Sequence, residues 1–193
     1  VGLQYLWKTV NRRKFLSYGA AALTMAAHRP AFAALAAPSA IATLPPTRTL
    51  SLFNIHTGEK AKIEYCVDGM CIPEALGEIR KFLRDYRNGQ EHDINTGLLD
   101  LLVTLKGKMD TTSPFHVISG YRSPQTNEML HDETSGVAKH SLHMEGMAID
   151  IRLPGRDLAA LHKTALSLKA GGVGYYPASD FVHVDVGRVR HWG

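Results

Sequence analysis

A chain of 193 residues has room for one domain of ordinary size plus an appendage, and 45% apolar content suits a packed core. The formal charge of +4 is unevenly placed. Lys8, Arg12, Arg13, Lys14 and Arg29 all fall in the first 33 residues with no acid among them, so the remainder carries a net −1 and lacks the clustered basic surface that nucleic-acid binding needs.

The paired arginines of Asn11-Arg12-Arg13-Lys14-Phe15-Leu16 precede a modest apolar run from Phe15 to Ala27, with small residues at Ala31 and Ala33 placed for cleavage. This predicts a twin-arginine export signal over residues 1–33, and with it the twin-arginine machinery as a partner and the periplasm as destination. The run falls short of the ~20 apolar residues of a membrane span, so the membrane is touched only in transit. Residues 34–49, rich in Ala, Pro, Ser and Thr, read as a flexible linker, which places the folded domain at residues 50–193.

Leu50 to Ile55 and Ala61 to Val67 alternate as strands, and Asp68-Gly69 then signals a two-residue hairpin. If Val67 and Met70 flank that turn, Cys66 and Cys71 face each other, which in an exported protein predicts a disulfide. Pro73 opens a helix whose stripe of Ala75, Leu76, Ile79, Phe82, Leu83 and Tyr86 runs to Asn88-Gly89. A second helix carries Leu98, Leu101, Leu102 and Leu105 and stops near Gly107.

Phe115 to Ser119 reads as a strand that delivers Gly120, Tyr121 and Arg122 to its end, with Ser123-Pro124 as cap and first residue of a short helix. A polar loop, Ser135 to Ser141, leads to Ser-Leu-His-Met-Glu-Gly-Met-Ala-Ile-Asp, where the chain turns on Gly146 and then alternates. Met147, Ile149 and Ile151 point one way; Ala148, Asp150 and Arg152 point the other. Asp157 to Ala170 forms a further helix closed by Gly171-Gly172. Those glycines are no phosphate loop, because neither Lys-Ser nor Lys-Thr follows them. Val173 to Tyr176 pairs with Phe181 to Val186, whose valines alternate with Phe181, His183 and Asp185. The sum is a single α+β domain, an antiparallel sheet with helices beside it.

Laid side by side, these strands bring His143, Asp150 and His183 together. Two imidazoles and a carboxylate suit zinc better than calcium or magnesium, and three ligands leave a fourth position open, as catalytic zinc requires. His140 is then superfluous as a ligand, and His131, His162 and His191 have weaker claims.

The spacing Ser141-x-His143-x-x-Gly146-x-Ala148-x-Asp150, followed by His183 in Phe-Val-His-Val-Asp, resembles the zinc D-Ala-D-Ala carboxypeptidase and murein endopeptidase family. Ser119-Gly120-Tyr121-Arg122-Ser123-Pro124, Gly136-Val137-Ala138 and Gly171 to Tyr176 resemble its exported YcbK-like branch, over roughly Leu50 to Trp192. The resemblance implies the Hedgehog/D-Ala-D-Ala peptidase fold with one Zn2+ per chain held on the sheet by His143, Asp150 and His183. It implies a monomer acting on peptidoglycan stem peptides or cross-links, as a murein endopeptidase rather than a D,D-carboxypeptidase. Arg122 would contact a substrate carboxylate or the developing oxyanion, while Ser119, Tyr121, Ser141 and His140 would contact substrate. Asp180 stands three residues before His183, where related carboxypeptidases carry an acid, and is expected as the general base. Asp185, two residues after His183, is expected to support a ligand or to serve as base instead. A zinc-stabilised wall-binding module without turnover is the rival reading; a serine hydrolase lacks its Gly-x-Ser-x-Gly elbow.

Overall fold

Eight strands, β1 (Arg48–Asn54), β2 (Lys60–Val67), β3 (Met70–Cys71), β4 (Phe115–Ser119), β5 (Ala148–Arg152), β6 (Gly172–Tyr176), β7 (Phe181–Asp185) and β8 (Arg190–Trp192), form one sheet in the order β3-β2-β1-β4-β5-β7-β6-β8. The computed structural model describes residues 44–133 and 137–193, so the expected leader, most of the expected linker and Gly136 lie outside the described residues. The sheet is mostly antiparallel, but β1 pairs with β4, and β6 with β8, in parallel. Alternation within one strand carries no information about the direction of its neighbour, so these two pairings were not readable from the pattern.

Helices α1 (Pro73–Phe82), α2 (Thr96–Lys108) and α4 (Leu158–Leu168) pack on the sheet; α3 (Pro124–Glu133) follows β4. Their apolar stripes meet the strands in one core, in which Leu50, Leu52, Ile79, Leu98, Leu102, Phe115, Ile149, Ile151, Val182 and Val184 are buried. Each such side chain contributes about 1.5–3 kcal/mol of apolar burial. Because Ile149, Ile151, Val182 and Val184 occupy that face, the alternation of β5 and β7 sends Asp150 and His183 to the other. None of the described helices is long and apolar enough to cross a membrane.

Several boundaries differ from expectation for identifiable reasons. β1 starts at Arg48, two residues early, because the buried Arg48 side chain pairs with Asp100 at 2.6 Å. α1 ends at Phe82 rather than running through Tyr86: the Leu83 carbonyl accepts from the Tyr121 amide, which draws the chain out of the helix. Tyr86 instead stacks on His56 at 3.9 Å. α4 is closed by Lys169 in the left-handed conformation (φ 50°), not by Gly171-Gly172. Those glycines serve close packing, since a Cβ on Gly171 would collide with the Asp185 carbonyl.

The β2–β3 hairpin follows its sequence signal. Asp68 and Gly69 both take positive φ (51° and 79°), as a type I′ turn demands, and Cys66 stands opposite Cys71. Both cysteines are free thiols in the structure, Cys66 buried and Cys71 exposed.

Candidate metal centre and active site

His143 sits in a single 3-10 turn, Leu142–Glu145, placed between Ser141, whose hydroxyl accepts from the His143 amide, and Gly146 in the left-handed conformation. Gly146 is required there: beyond its φ of 63°, a Cβ would strike the Asp93 carbonyl. Asp150 and His183 lie directly opposite each other on β5 and β7. The sheet register thus fixes two donors and the 3-10 turn supplies the third.

The three donor atoms form a tight triangle. His143 Nε2 lies 3.2 Å from Asp150 Oδ1 and 3.1 Å from His183 Nδ1, and His183 Nδ1 lies 2.9 Å from Asp150 Oδ1. Zinc bonds of about 2.0–2.2 Å at tetrahedral angles require ligand separations of about 3.3 Å, so this triangle is close to one face of a tetrahedron. All three residues are buried.

Neighbouring groups settle which ring nitrogen has its lone pair turned into the triangle. Gly120's carbonyl can only accept, so the 2.8 Å contact puts the His143 proton on Nδ1 and leaves the Nε2 lone pair directed into the triangle. His183 Nε2 donates to Asp185 Oδ2 at 3.1 Å, leaving Nδ1 as the donor to the ion. Asp185 is itself held: its oxygens accept from the Gly172 and Gly187 amides and from Arg190 at 2.7 and 3.1 Å.

Electrostatics agree with a site built for a cation. Burial would raise the Asp150 carboxyl, but His143 and His183 hold it far below the usual carboxylate range. Burial presses the His143 imidazole downward, toward the neutral form a ligand needs. For His183 burial is outweighed by hydrogen bonds to Asp150 and Asp185, which push it up to about 9. The Asp150 charge favours the protonated form of both imidazoles, losing to burial at His143 and winning at His183, and a bound cation would take over as its partner.

The triangle opens on a cavity of about 760 Å3 lined by Arg122, His140, Ser141, Tyr176, Phe181 and Trp192 among others. Arg122 lies against Asp150 (3.7 Å) and donates to Asn127 Oδ1 at 3.3 Å, while its buried Nε has no acceptor among the described residues. Ser119 is opposite Asp150 on β4 and buried behind the site, and Tyr121 is buried against His92; neither lines the cavity. Asp180 is not there either. Its carboxylate pairs with Arg152 at 2.8 Å and lines a separate cavity with His116 and Leu158, because the left-handed turn at Asp180 places it beside the end of β5.

Residues 42–192 match the family model Peptidase_M15_2, described as Peptidoglycan L,D-endopeptidase MepK. The chain belongs to that family. It is 45% identical to the peptidoglycan L,D-endopeptidase MepK of Escherichia coli K12 over 183 residues, covering 94% of this chain and 97% of the relative. The MepK of Shigella flexneri matches at the same identity, and a probable MepK of Haemophilus influenzae at 37% over 183 residues, 94% of this chain and 95% of the relative. The chain is therefore a metallopeptidase, and the wall-binding module without turnover is set aside.

Some residues around the triangle had no signal in composition or period. Arg190 and Trp192 reach the cavity from β8, a three-residue strand too short to show alternation. Their one trace is in β6, where Gly172 and Gly174 make room for Arg190 and for the Trp192 indole. Asn127, buried on α3, accepts from Arg122 and donates to the Ala138 and Lys139 carbonyls, tying the arginine to the loop above it.

Proposed function

We propose that this chain is a zinc-dependent peptidoglycan L,D-endopeptidase that works on the cell-wall side of the membrane after export by its twin-arginine leader. The observation that carries the reading is the triangle of two imidazole nitrogens and one carboxylate oxygen, with edges of 2.9–3.2 Å, opening on a cavity lined by Arg122. The choice of zinc rests on that donor set and spacing. The choice of bond rests on relatives named for L,D-endopeptidase action that match nearly their whole length.

When bound, the ion supplies Lewis-acid polarisation of the scissile carbonyl and acidifies the attacking water. His143, Asp150 and His183 would hold it. Asp185 keeps the His183 ring turned so that Nδ1 faces the ion, and Gly120 does the same for His143. Arg122, which lines the cavity and is held by Asn127, offers a fixed charged donor to a substrate carboxylate or to the oxygen that gains charge. His140 and Ser141 lie on the wall where the peptide would run. Since the Asp180 carboxylate is engaged by Arg152, it would serve as base only by leaving that partner.

The test is digestion of purified cross-linked peptidoglycan by zinc-loaded protein with mass analysis of the fragments. Cleavage at L,D bonds that stops on chelation is expected. Release of terminal D-Ala alone would replace the reading with a carboxypeptidase, and no release at all would overturn it.

A further inference from the structure

The cavity that Arg122 lines also carries a hydrogen bond that the zinc chemistry does not use. Trp192 Nε1 lies 2.7 Å from the Tyr176 hydroxyl oxygen. An indole nitrogen can only donate, so the tyrosine oxygen is the acceptor and its own O–H must point elsewhere. Among the described residues no acceptor takes that hydrogen. Both residues line the cavity.

Three features fix this pair in place. Tyr176 stacks on Phe181, ring centroids 4.5 Å apart, across the β6–β7 register. Trp192 packs on the ligand His183 at 5.1 Å and on the bare backbone of Gly174, where a Cβ would come within 2.7 Å of the indole. Arg190 covers the indole at 5.0 Å while pairing with Asp185. The tyrosine is therefore a rigid aromatic with one committed lone pair and one uncommitted proton, at the edge of the metal face. Its phenol and the Arg122 guanidinium line the same cavity.

We propose that the Tyr176 hydroxyl, oriented by the Trp192 indole N–H, is a substrate-binding donor that acts with Arg122 on one acceptor oxygen of the bound peptide. Two donors on one cavity, the free phenol O–H and the guanidinium, select a carboxylate or a peptide carbonyl oxygen. They disfavour an ammonium group at that point, which itself brings only donors. The assignment rests on the endopeptidase reading, and Trp192 is in it a positioning residue that acts through Tyr176.

The experiment compares wild type, Tyr176→Phe, Trp192→Phe and the double variant. Three quantities are read: metal content, kcat and KM on a purified cross-linked muropeptide, and calorimetric binding of the same muropeptide to metal-free protein. Tyr176→Phe should keep stoichiometric metal, lower kcat/KM about tenfold or more, and weaken binding to the metal-free protein by a similar factor. Trp192→Phe should lose less, and the double variant should be no worse than Tyr176→Phe, because the indole contributes through the hydroxyl it orients. Wild-type kcat/KM and binding in Tyr176→Phe would overturn the proposal, as would additive losses in the double variant. If Trp192→Phe fails to fold, the binding and rates of Tyr176→Phe still decide. A wild type that binds metal but cleaves no muropeptide would sink the endopeptidase reading instead, and so is told apart from failure of the tyrosine.

Discussion

Asp185 and Asp180 differ in what surrounds them more than in their distance from His183. Asp185 is fully buried and accepts from His183, Arg190 and two backbone amides, so it has no freedom to collect a proton from a substrate-bound water. Asp185→Asn should weaken zinc about tenfold or more, read by competition with a chelating dye. Asp180→Asn should leave zinc affinity intact and kcat within about threefold, because its partner is Arg152; a hundredfold fall in kcat with zinc retained would restore Asp180 as base. Asp85 provides a stability readout outside the triangle, where it accepts from the Ser123 amide at 2.9 Å. Burial would raise its carboxyl, but hydrogen bonds from Thr126, Ser123 and Arg87 hold it below the ordinary value. A depressed folded pKa gives stability that is complete above the unfolded value of about 3.9 and fades as pH falls through the folded one. Asp85→Asn should therefore cost about 1–3 kcal/mol in denaturant melts at pH 7, and the gap to wild type should close below about pH 4. The residues of the triangle were legible because alternation puts Asp150 and His183 on the polar faces of their strands and the family resemblance adds His143. Asp85 and Asn127 were not, since a buried acid or amide looks in sequence like any surface one.

At the scale of elements, the β6–β7–β8 corner shows glycine acting through space rather than through φ. Gly171 abuts the Asp185 and Val186 backbone, which cannot move without shifting β7. Gly171→Ala should destabilise by about 1–3 kcal/mol by overpacking and lower zinc affinity with it. The nearest atoms to a Cβ on Gly174 belong to the Trp192 ring rather than to backbone, so Gly174→Ala should cost less stability than Gly171→Ala and instead reduce kcat/KM by displacing the indole from Tyr176. Thermal melts beside steady-state rates separate the two. The Gly171 to Tyr176 motif was plain in the sequence, but its reason was not: the atoms that exclude a Cβ come from residues 185 to 192. The hairpin was fully legible, because Asp68-Gly69 dictates a turn and the turn dictates which residues face each other. Cys66 and Cys71 are so placed, and we propose that they oxidise to a disulfide after export. Thiol titration of protein isolated from the periplasm should find neither free, and a Cys66→Ala, Cys71→Ala variant should keep its activity.

For the whole molecule, the position of the site relative to the core determines what metal removal does. The donors occupy the face of β5 and β7 opposite Ile149, Ile151, Val182 and Val184, and the core beneath them joins α1, α2 and α4 with strands on both sides of the site. None of the buried apolar side chains of the core is one of the three donors. A small zinc domain unfolds when its metal is removed, whereas here the apolar burial lies away from the donors and is expected to persist. The cost of emptying the site is then the binding linkage alone, about 2.7 kcal/mol when free zinc stands at a hundred times its dissociation constant. For a domain of this size that corresponds to a melting temperature lower by roughly 5–10 °C, with one cooperative transition retained. Chelated protein should show native far-ultraviolet dichroism, a single shifted melt, and full recovery of peptidoglycan cleavage when zinc is restored. Collapse of the dichroism on chelation would mean that the triangle holds the sheet together, and the ion would then be structural as well as catalytic.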